Sequence, residues 1–190
     1  MRQREDKVRK TILYIGMSLD GYIADDQGGV GWMRGDGSDP GNPGSYPEFL
    51  ASVDTIVMGY HTYRQIIDEL SPDRWVYPGK RCYVLTHRPL NDIGSTTFVQ
   101  GDVGRLLGEL RRQDGSNIWI CGGADIVHQL LSQDQIDMFC ISVIPVILGT
   151  GVPLFAPGRR RQLLRLLSTR CYNGITDLWY EKRQPMPEDE

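Results

Sequence analysis

Short apolar runs alternate along this chain with stretches in which apolar residues recur every three or four positions. These are the rhythms of buried strands and amphipathic helices. Residues 11–17 (Thr-Ile-Leu-Tyr-Ile-Gly-Met) predict a buried strand, which runs into Ser18-Leu19-Asp20-Gly21, where Asp-Gly marks a turn. Residues 25–45 are rich in Gly and Pro, punctuated by Val30, Trp32 and Met33. A structureless stretch of that length is disordered or functional, and its apolar residues predict a loop that closes over something. A short helix is predicted over 46–53 with Phe49, Leu50 and Val53 inward, then a strand over 55–58 ended by Gly59. Residues 60–70 predict a helix with Tyr63, Ile66, Ile67 and Leu70 as its inner stripe. Strands follow at 82–86 and 96–99, then a helix carrying Val103, Leu106, Leu107 and Leu110.

Residues 117–131 are the stretch around which the rest is organised. Ile118 to Cys121 reads as a buried strand, Gly122 and Gly123 interrupt it, and Ile126, Val127, Leu130 and Leu131 continue at helical spacing. Further on, 138–144 predicts a buried strand and 148–155 a turn-rich passage. Residues 163–171 and 176–182 predict two strands joined at the hairpin dipeptide Asn173-Gly174. Residues 1–10 read as a flexible polar start and 184–190 as a flexible tail, leaving 11–183 as one domain.

Strands alternating with helices over the first two thirds predict an α/β fold: a mixed, mostly parallel sheet with helices on both faces. The C-terminal antiparallel hairpin joins it at an edge. A length of 190 residues, with 40% apolar and 24% charged, suits one globular domain with a proper core. The net charge of −3 offers no basic face for nucleic acid or an anionic membrane. No apolar run approaches the roughly 20 residues of a membrane span, and no signal-type region follows the charged start, so a cytoplasmic location is expected. Cys82, Cys121, Cys140 and Cys171 form no Cys-x-x-Cys pair and read as reduced, three of them inside apolar runs. The three histidines have no ligand spacing, so no metal site is expected.

Chemistry is expected at the carboxyl ends of the parallel strands. Those ends carry Ser18-Leu-Asp-Gly, Gly59-Tyr-His-Thr, Thr86-His-Arg-Pro and Cys121-Gly-Gly-Ala. A strand, two glycines and a helix place bare backbone N–H groups where a phosphate can approach; the same dipeptide also makes a plain tight turn.

These segments resemble the dihydrofolate reductase superfamily, in its branch containing the C-terminal reductase domain of the bifunctional riboflavin-biosynthesis deaminase/reductase. The resemblance rests on Ser18-Leu-Asp-Gly-Tyr-Ile-Ala, Ile56-Val-Met-Gly-Tyr-His-Thr-Tyr, Tyr83-Val-Leu-Thr-His-Arg, Ile120-Cys-Gly-Gly-Ala-Asp and Ile147-Leu-Gly-Thr-Gly-Val-Pro-Leu-Phe, in family order. It implies the three-layer dihydrofolate reductase-like fold, a homodimer, and NADPH, with NADH less favoured, bound across the strand ends. The implied cofactor residues are Ala24, Gly59, His61, Thr62, Gly122, Gly123, Ala124, Asp125 and Ile126, with Thr86, His87 and Arg88 near the adenosine ribose and its 2′-phosphate. One departure stands out: where many relatives have a basic residue after the first glycine, this chain has Tyr60.

Asp20 is the acidic residue best placed near the reacting ring, as a hydrogen-bond partner of a heterocycle or a proton relay; the alternative is an Asx-type turn holding Gly21. Trp32 either covers the nicotinamide or anchors its own loop. Glu48 falls in the region where folate-reducing relatives carry their substrate carboxylate, and a solvent-facing glutamate is the competing account. Arg34, Arg64 and Arg74 are available to a substrate phosphate. Three functions follow: a reductase of a ribosylamino-pyrimidine, a pterin or dihydrofolate reductase, and a nucleotide-binding protein without that chemistry. The His-x-Glu and Pro-Cys-x-x-Cys pattern of zinc deaminases is missing from the sequence.

Overall fold

The structure is a computed structural model that describes residues 8–157 and 161–183. Of the segments expected to be loose, 1–10 and 184–190, residues 1–7 and 184–190 lie outside the described residues. In chain order the first strands and helices are β1 (Thr11–Ser18), β2 (Tyr22–Ala24), α1 (Tyr46–Ser52), β3 (Val53–Gly59) and α2 (Tyr60–Gln65). Then come β4 (Arg81–Leu85), β5 (Thr96–Val99), α3 (Val103–Arg111), β6 (Asn117–Gly122) and α4 (Ala124–Ser132). The chain closes with β7 (Met138–Ile144), β8 (Val152–Pro153), β9 (Leu164–Tyr172) and β10 (Ile175–Lys182).

Eight strands make one sheet in the order β5-β4-β3-β6-β1-β7-β10-β9. The first six run parallel, and β10 and β9 are antiparallel. On β1, Leu13 and Ile15 face one side and Ile12 and Tyr14 the other, all buried. Both faces of a central strand are apolar because helices cover both. On one side α3 (Val103, Leu106, Leu107, Leu110) and α4 (Ile126, Val127, Leu130) pack on Val57, Ile118 and Ile120. On the other, α1 and α2 set Phe49 and Tyr63 against Ile56, Met58 and Trp119. This is the expected three-layer arrangement. Each such fully buried side chain contributes about 1.5–3 kcal/mol, against about 0.3–0.5 kcal/mol for an exposed helical pair such as Arg64–Asp68. The apolar layers hold the fold. No helix among the described residues is long and apolar enough to cross a membrane.

Three expectations are corrected. Leu70 is not part of an inner stripe but 58% exposed. The helix after Gln65 becomes a π-helical turn, Ile66–Leu70, closed by the Ser71 N–H on the Ile66 carbonyl at 2.8 Å. The extra residue in that turn rotates Leu70 off the apolar face. The flexible start expected over residues 1–10 does not hold at Arg9, which is 2% exposed, paired with Asp54, and donates to the Leu110 carbonyl at 2.9 Å and to Thr55 Oγ1 at 2.6 Å. Within the two stretches read as a turn-bearing motif and a turn-rich passage, β2 and β8 pair as a small second sheet.

The long 25–45 segment is fastened at its far end. Asp177, on β10, is completely buried and accepts hydrogen bonds from the Ser45 hydroxyl, from Ser142 Oγ at 2.6 Å and from the Tyr172 hydroxyl at 3.1 Å. Burial and the neighbouring Asp177 charge push the Tyr172 hydroxyl well above its ordinary range, so it stays protonated and donates. The Asn173 carboxamide oxygen accepts from the Gly37 N–H at 2.9 Å. Removing one buried acceptor orphans several donors at once. Asp177→Ala is expected to cost about 2–4 kcal/mol in urea unfolding, and Asp177→Asn less; a loss under about 1 kcal/mol for the alanine variant would show that the hub is dispensable.

Candidate active site

A half-open cavity of about 740 Å³ lies along the rim where β3, β4, β5 and β6 deliver their carboxyl ends. Its volume falls within the range of small-molecule and cofactor sites. Gly59 ends β3 and caps α2, and Gly123 follows β6 and caps α4. Since β3 and β6 are hydrogen-bonded neighbours, the two helix starts come side by side. A Cβ added at Gly59 would lie 3.8 Å from the Gly123 nitrogen, and one at Gly123 would press to 3.3 Å from Thr62 Oγ1. Glycine at both positions keeps the rim free of side chains. The Gly122–Gly123 peptide is cis, and Gly122, at φ +125°, has a backbone conformation that side chains disfavour.

Neither helix start has a side-chain cap. By contrast, α3 is capped by its own Asp102, whose Oδ1 accepts from the Arg105 N–H at 2.8 Å. The first-turn amides of α2 and α4 are therefore left to an outside acceptor, and the dipole of α4 favours an anion.

The opposite wall is the turn after β4. The Thr86 N–H donates to the Val99 carbonyl at 3.0 Å, and Thr86 Oγ1 accepts from the Arg88 N–H at 3.1 Å. Gln100 Nε2 donates to the His87 carbonyl at 3.0 Å. The Arg88 guanidinium stands 5.7 Å from the centre of the Tyr60 ring. Among the described lining residues Asp125 is the one carboxylate, against Arg88 and the imidazoles of His61, His87 and His128. Burial pushes the Cys121 thiol, next to the two glycines, up to about 12, so it is a neutral thiol and no nucleophile. The arrangement suits binding and orienting a polyanion.

Of the residues expected at the cofactor, Gly59, His61, Thr62, Thr86, His87, Arg88, Gly123, Ala124, Asp125 and Ile126 all line this cavity. Gly122 lies one step behind it, buried against Ile15. Ala24 is off the wall because β2 pairs it with Val152, which takes that place. Gly101, His128, Gln129 and Ser132 also line it and were not anticipated. A polar stripe at 125, 128/129 and 132 on one helix was their available signal.

Asp20, Trp32 and Glu48 do not line the cavity. The exposed Asp20 carboxylate accepts from Ser18 Oγ at 2.7 Å, the Leu148 N–H at 3.1 Å and the Gly149 N–H at 2.7 Å. The Ser18 hydroxyl, with those amides, holds it below the usual carboxylate range. Trp32 is half-buried and its indole N–H donates to the Gly29 carbonyl at 3.0 Å, inside its own loop. Glu48 is 79% exposed and pairs with Arg170 of β9 at 3.4 Å, so it is the solvent-facing glutamate. Arg64 is paired with Asp68, and neither it nor Arg34 nor Arg74 lines the cavity.

The family model described as the RibD C-terminal domain matches residues 9–179. The uncharacterised protein YwjB of Bacillus subtilis (strain 168) is 38% identical over 176 residues, spanning 90% of this chain and 97% of that protein. A structure from Shewanella sp. PV-4, provisionally assigned to riboflavin biosynthesis, superposes with a TM-score of 0.76 at 27% identity, covering 92% of this chain and 99% of that one. Dihydrofolate reductase from Enterococcus faecalis, complexed with NADP(H) and RAB-propyl, superposes with a TM-score of 0.60 at 13% identity, covering 92% and 97%. With the fold, the paired glycine helix starts and this match in hand, the chain belongs to the RibD C-terminal domain family and has the dihydrofolate reductase-like fold.

Proposed function

We propose that this chain is an NADPH-dependent reductase of a small pyrimidine-type heterocycle, of the kind represented by 5-amino-6-(5-phosphoribosylamino)uracil reductase. The observation that carries this reading is the convergence of two uncapped, glycine-opened helix starts on one cavity that also receives Arg88. The amides beginning α2 and α4 would hold the diphosphate, and the turn Thr86-His87-Arg88 the adenosine end. The fit rests on the bare rim at Gly59 and Gly123, the cavity volume and the Arg88 guanidinium on its wall. When bound, the nicotinamide supplies the hydride, and what remains for the protein is orientation, exclusion of water and access to a proton. Pterin reduction is the weaker alternative, since Glu48 turns to solvent and pairs with Arg170.

Asp20 acts here as a positioning residue. As an anion with three donors it fastens residues 148–149 to the end of β1, beside the Leu19 N–H bond to the Val146 carbonyl at 2.8 Å. A second copy of the chain is expected to dock on β9, an exposed nine-residue edge strand carrying Leu164, Leu166 and Leu167 on its surface.

NADPH is expected to quench tryptophan fluorescence and to raise the melting temperature, since a ligand bound only by the folded state adds stability. No shift at millimolar NADPH or NADH would remove the cofactor reading. Oxidation of NADPH with any member of a pyrimidine and pterin panel supports the reductase; binding without turnover on the whole panel favours a non-catalytic protein. Asp20→Asn is expected to lower turnover less than tenfold and to lower the melting temperature at pH 7. A depressed carboxylate stabilises above its unfolded pKa of about 3.9 and loses that contribution as pH falls through its folded value. The gap between wild type and variant should therefore shrink below about pH 4; a turnover loss of a thousandfold would instead make Asp20 catalytic. Sedimentation should show a dimer that Leu166→Glu converts to monomer, and an unchanged mass would move the interface away from β9.

A further inference from the structure

We infer that the Tyr46 hydroxyl, held in place by Tyr77, meets the polar edge of the substrate ring and makes this a site for an uncharged heterocycle. The inference rests on the reductase reading above, narrows it to a substrate class and names the residue that selects it.

On that reading the sheet order says where the ring lies. The turn after β4 takes the adenosine end, and the helix starts after β3 and β6 take the diphosphate. The other end of an extended dinucleotide then points past β6 toward β1. There β6 carries Cys121, directly before Gly122 and Gly123. Its side chain belongs to the face covered by α1 and α2, as does that of Tyr14 on β1.

Three hydrogen-bonding side chains that the phosphate wall does not use meet on this face. The Tyr77 hydroxyl lies 4.0 Å from Cys121 Sγ and also meets the Tyr46 hydroxyl. Packing fixes both phenols. The Tyr77 ring stands edge-on to Trp75 and Trp119, with centroids 5.4 and 5.2 Å away. Tyr46, the first residue of α1, stands edge-on to Tyr14 at 5.8 Å and to Trp119 at 6.0 Å. Tyr77 is buried and Tyr46 only partly so, which makes Tyr46 the phenol within reach of a ligand.

This cluster is uncharged. Burial raises both phenols and the Cys121 thiol, so all three keep their protons at neutral pH. Glu48, on the same helix as Tyr46, turns to Arg170, and Asp20 is spent on Leu148 and Gly149. A carboxylate at this place would hold a protonated ring by charge. A neutral hydroxyl offers a donor and acceptor positions but no counter-ion. A cationic ring would therefore lose its hydration without compensation, whereas a neutral ring exchanges a bond to water for a bond to the phenol.

Calorimetric titration of the full chain, saturated with NADP+, with isocytosine and with 2,4-diaminopyrimidine tests this. The two rings share one frame, and only the second carries a proton at neutral pH. Wild type should bind isocytosine about tenfold more tightly at about pH 6.5, and the gap should narrow as pH rises and the diamino ring loses its proton. Tyr46→Phe should weaken isocytosine about fivefold while keeping the NADPH-dependent rise in melting temperature. Tyr77→Phe should weaken isocytosine about two- to threefold. The double variant should bind no more weakly than Tyr46→Phe alone, since Tyr77 acts through Tyr46. Tighter or equal binding of the diamino ring at about pH 6.5, unchanged isocytosine affinity in Tyr46→Phe, or no isocytosine binding to the cofactor-loaded chain would overturn the inference and leave the cofactor reading intact. Absence of any NADPH effect on wild-type melting would remove the cofactor reading, and this inference with it.

Discussion

The adjacency of β3 and β6 is the constraint from which the candidate site follows. The two strands are far apart in sequence, yet they lie side by side and parallel, and each ends in glycine before a helix. Parallel neighbours end at the same rim, so the helices that follow them begin there together. Had β4 separated them, one strand spacing of about 4.8 Å would be added, and the two sets of amides would face separate ligands. The missing Cβ atoms at Gly59 and Gly123 let the helix starts approach each other and leave main-chain hydrogens as the local surface.

Much of this was legible in the sequence because it depends on local chemistry. Strand and helix types follow from apolar spacing, the hairpin from Asn173-Gly174, and the cofactor wall from glycines and the Thr86-His87-Arg88 turn. What the sequence hid were consequences of long-range pairing. Nothing local distinguishes Arg9 from the charged residues before it; only the fold brings Asp54, Thr55 and the Leu110 carbonyl around its guanidinium. The Leu70 pattern was helical, and a single extra residue in a π-turn undid it. Asp20 sat at the right strand end, but which amides its carboxylate would meet depended on a loop nearly 130 residues later. Val152 reaches the cavity only because β8 pairs with β2, and both strands are too short to announce themselves.

The second organising group is polar. Asp177 draws hydroxyls from the long loop, from β7 and from β9 to one buried point. At the near end of the same loop, Gln65 of α2 donates to the Gly28 carbonyl at 3.0 Å. One segment thus links the helix beside the cavity to the hairpin at the sheet edge, with polar contacts at both attachments. Apolar packing sets the layers, and these few bonds set where the irregular backbone lies between them.

The way that segment meets the hairpin has an evolutionary consequence. A methyl group at Gly35 would collide with Asn173, and one at Gly44 with the Tyr172 ring, while Gly174 leaves no room beside Asp36. Loop and turn are fitted to each other at main-chain distance, so neither can drift in sequence alone. Across divergent descendants, positions 35, 44 and 172–174 should change as a correlated block, even where the strands between them vary independently.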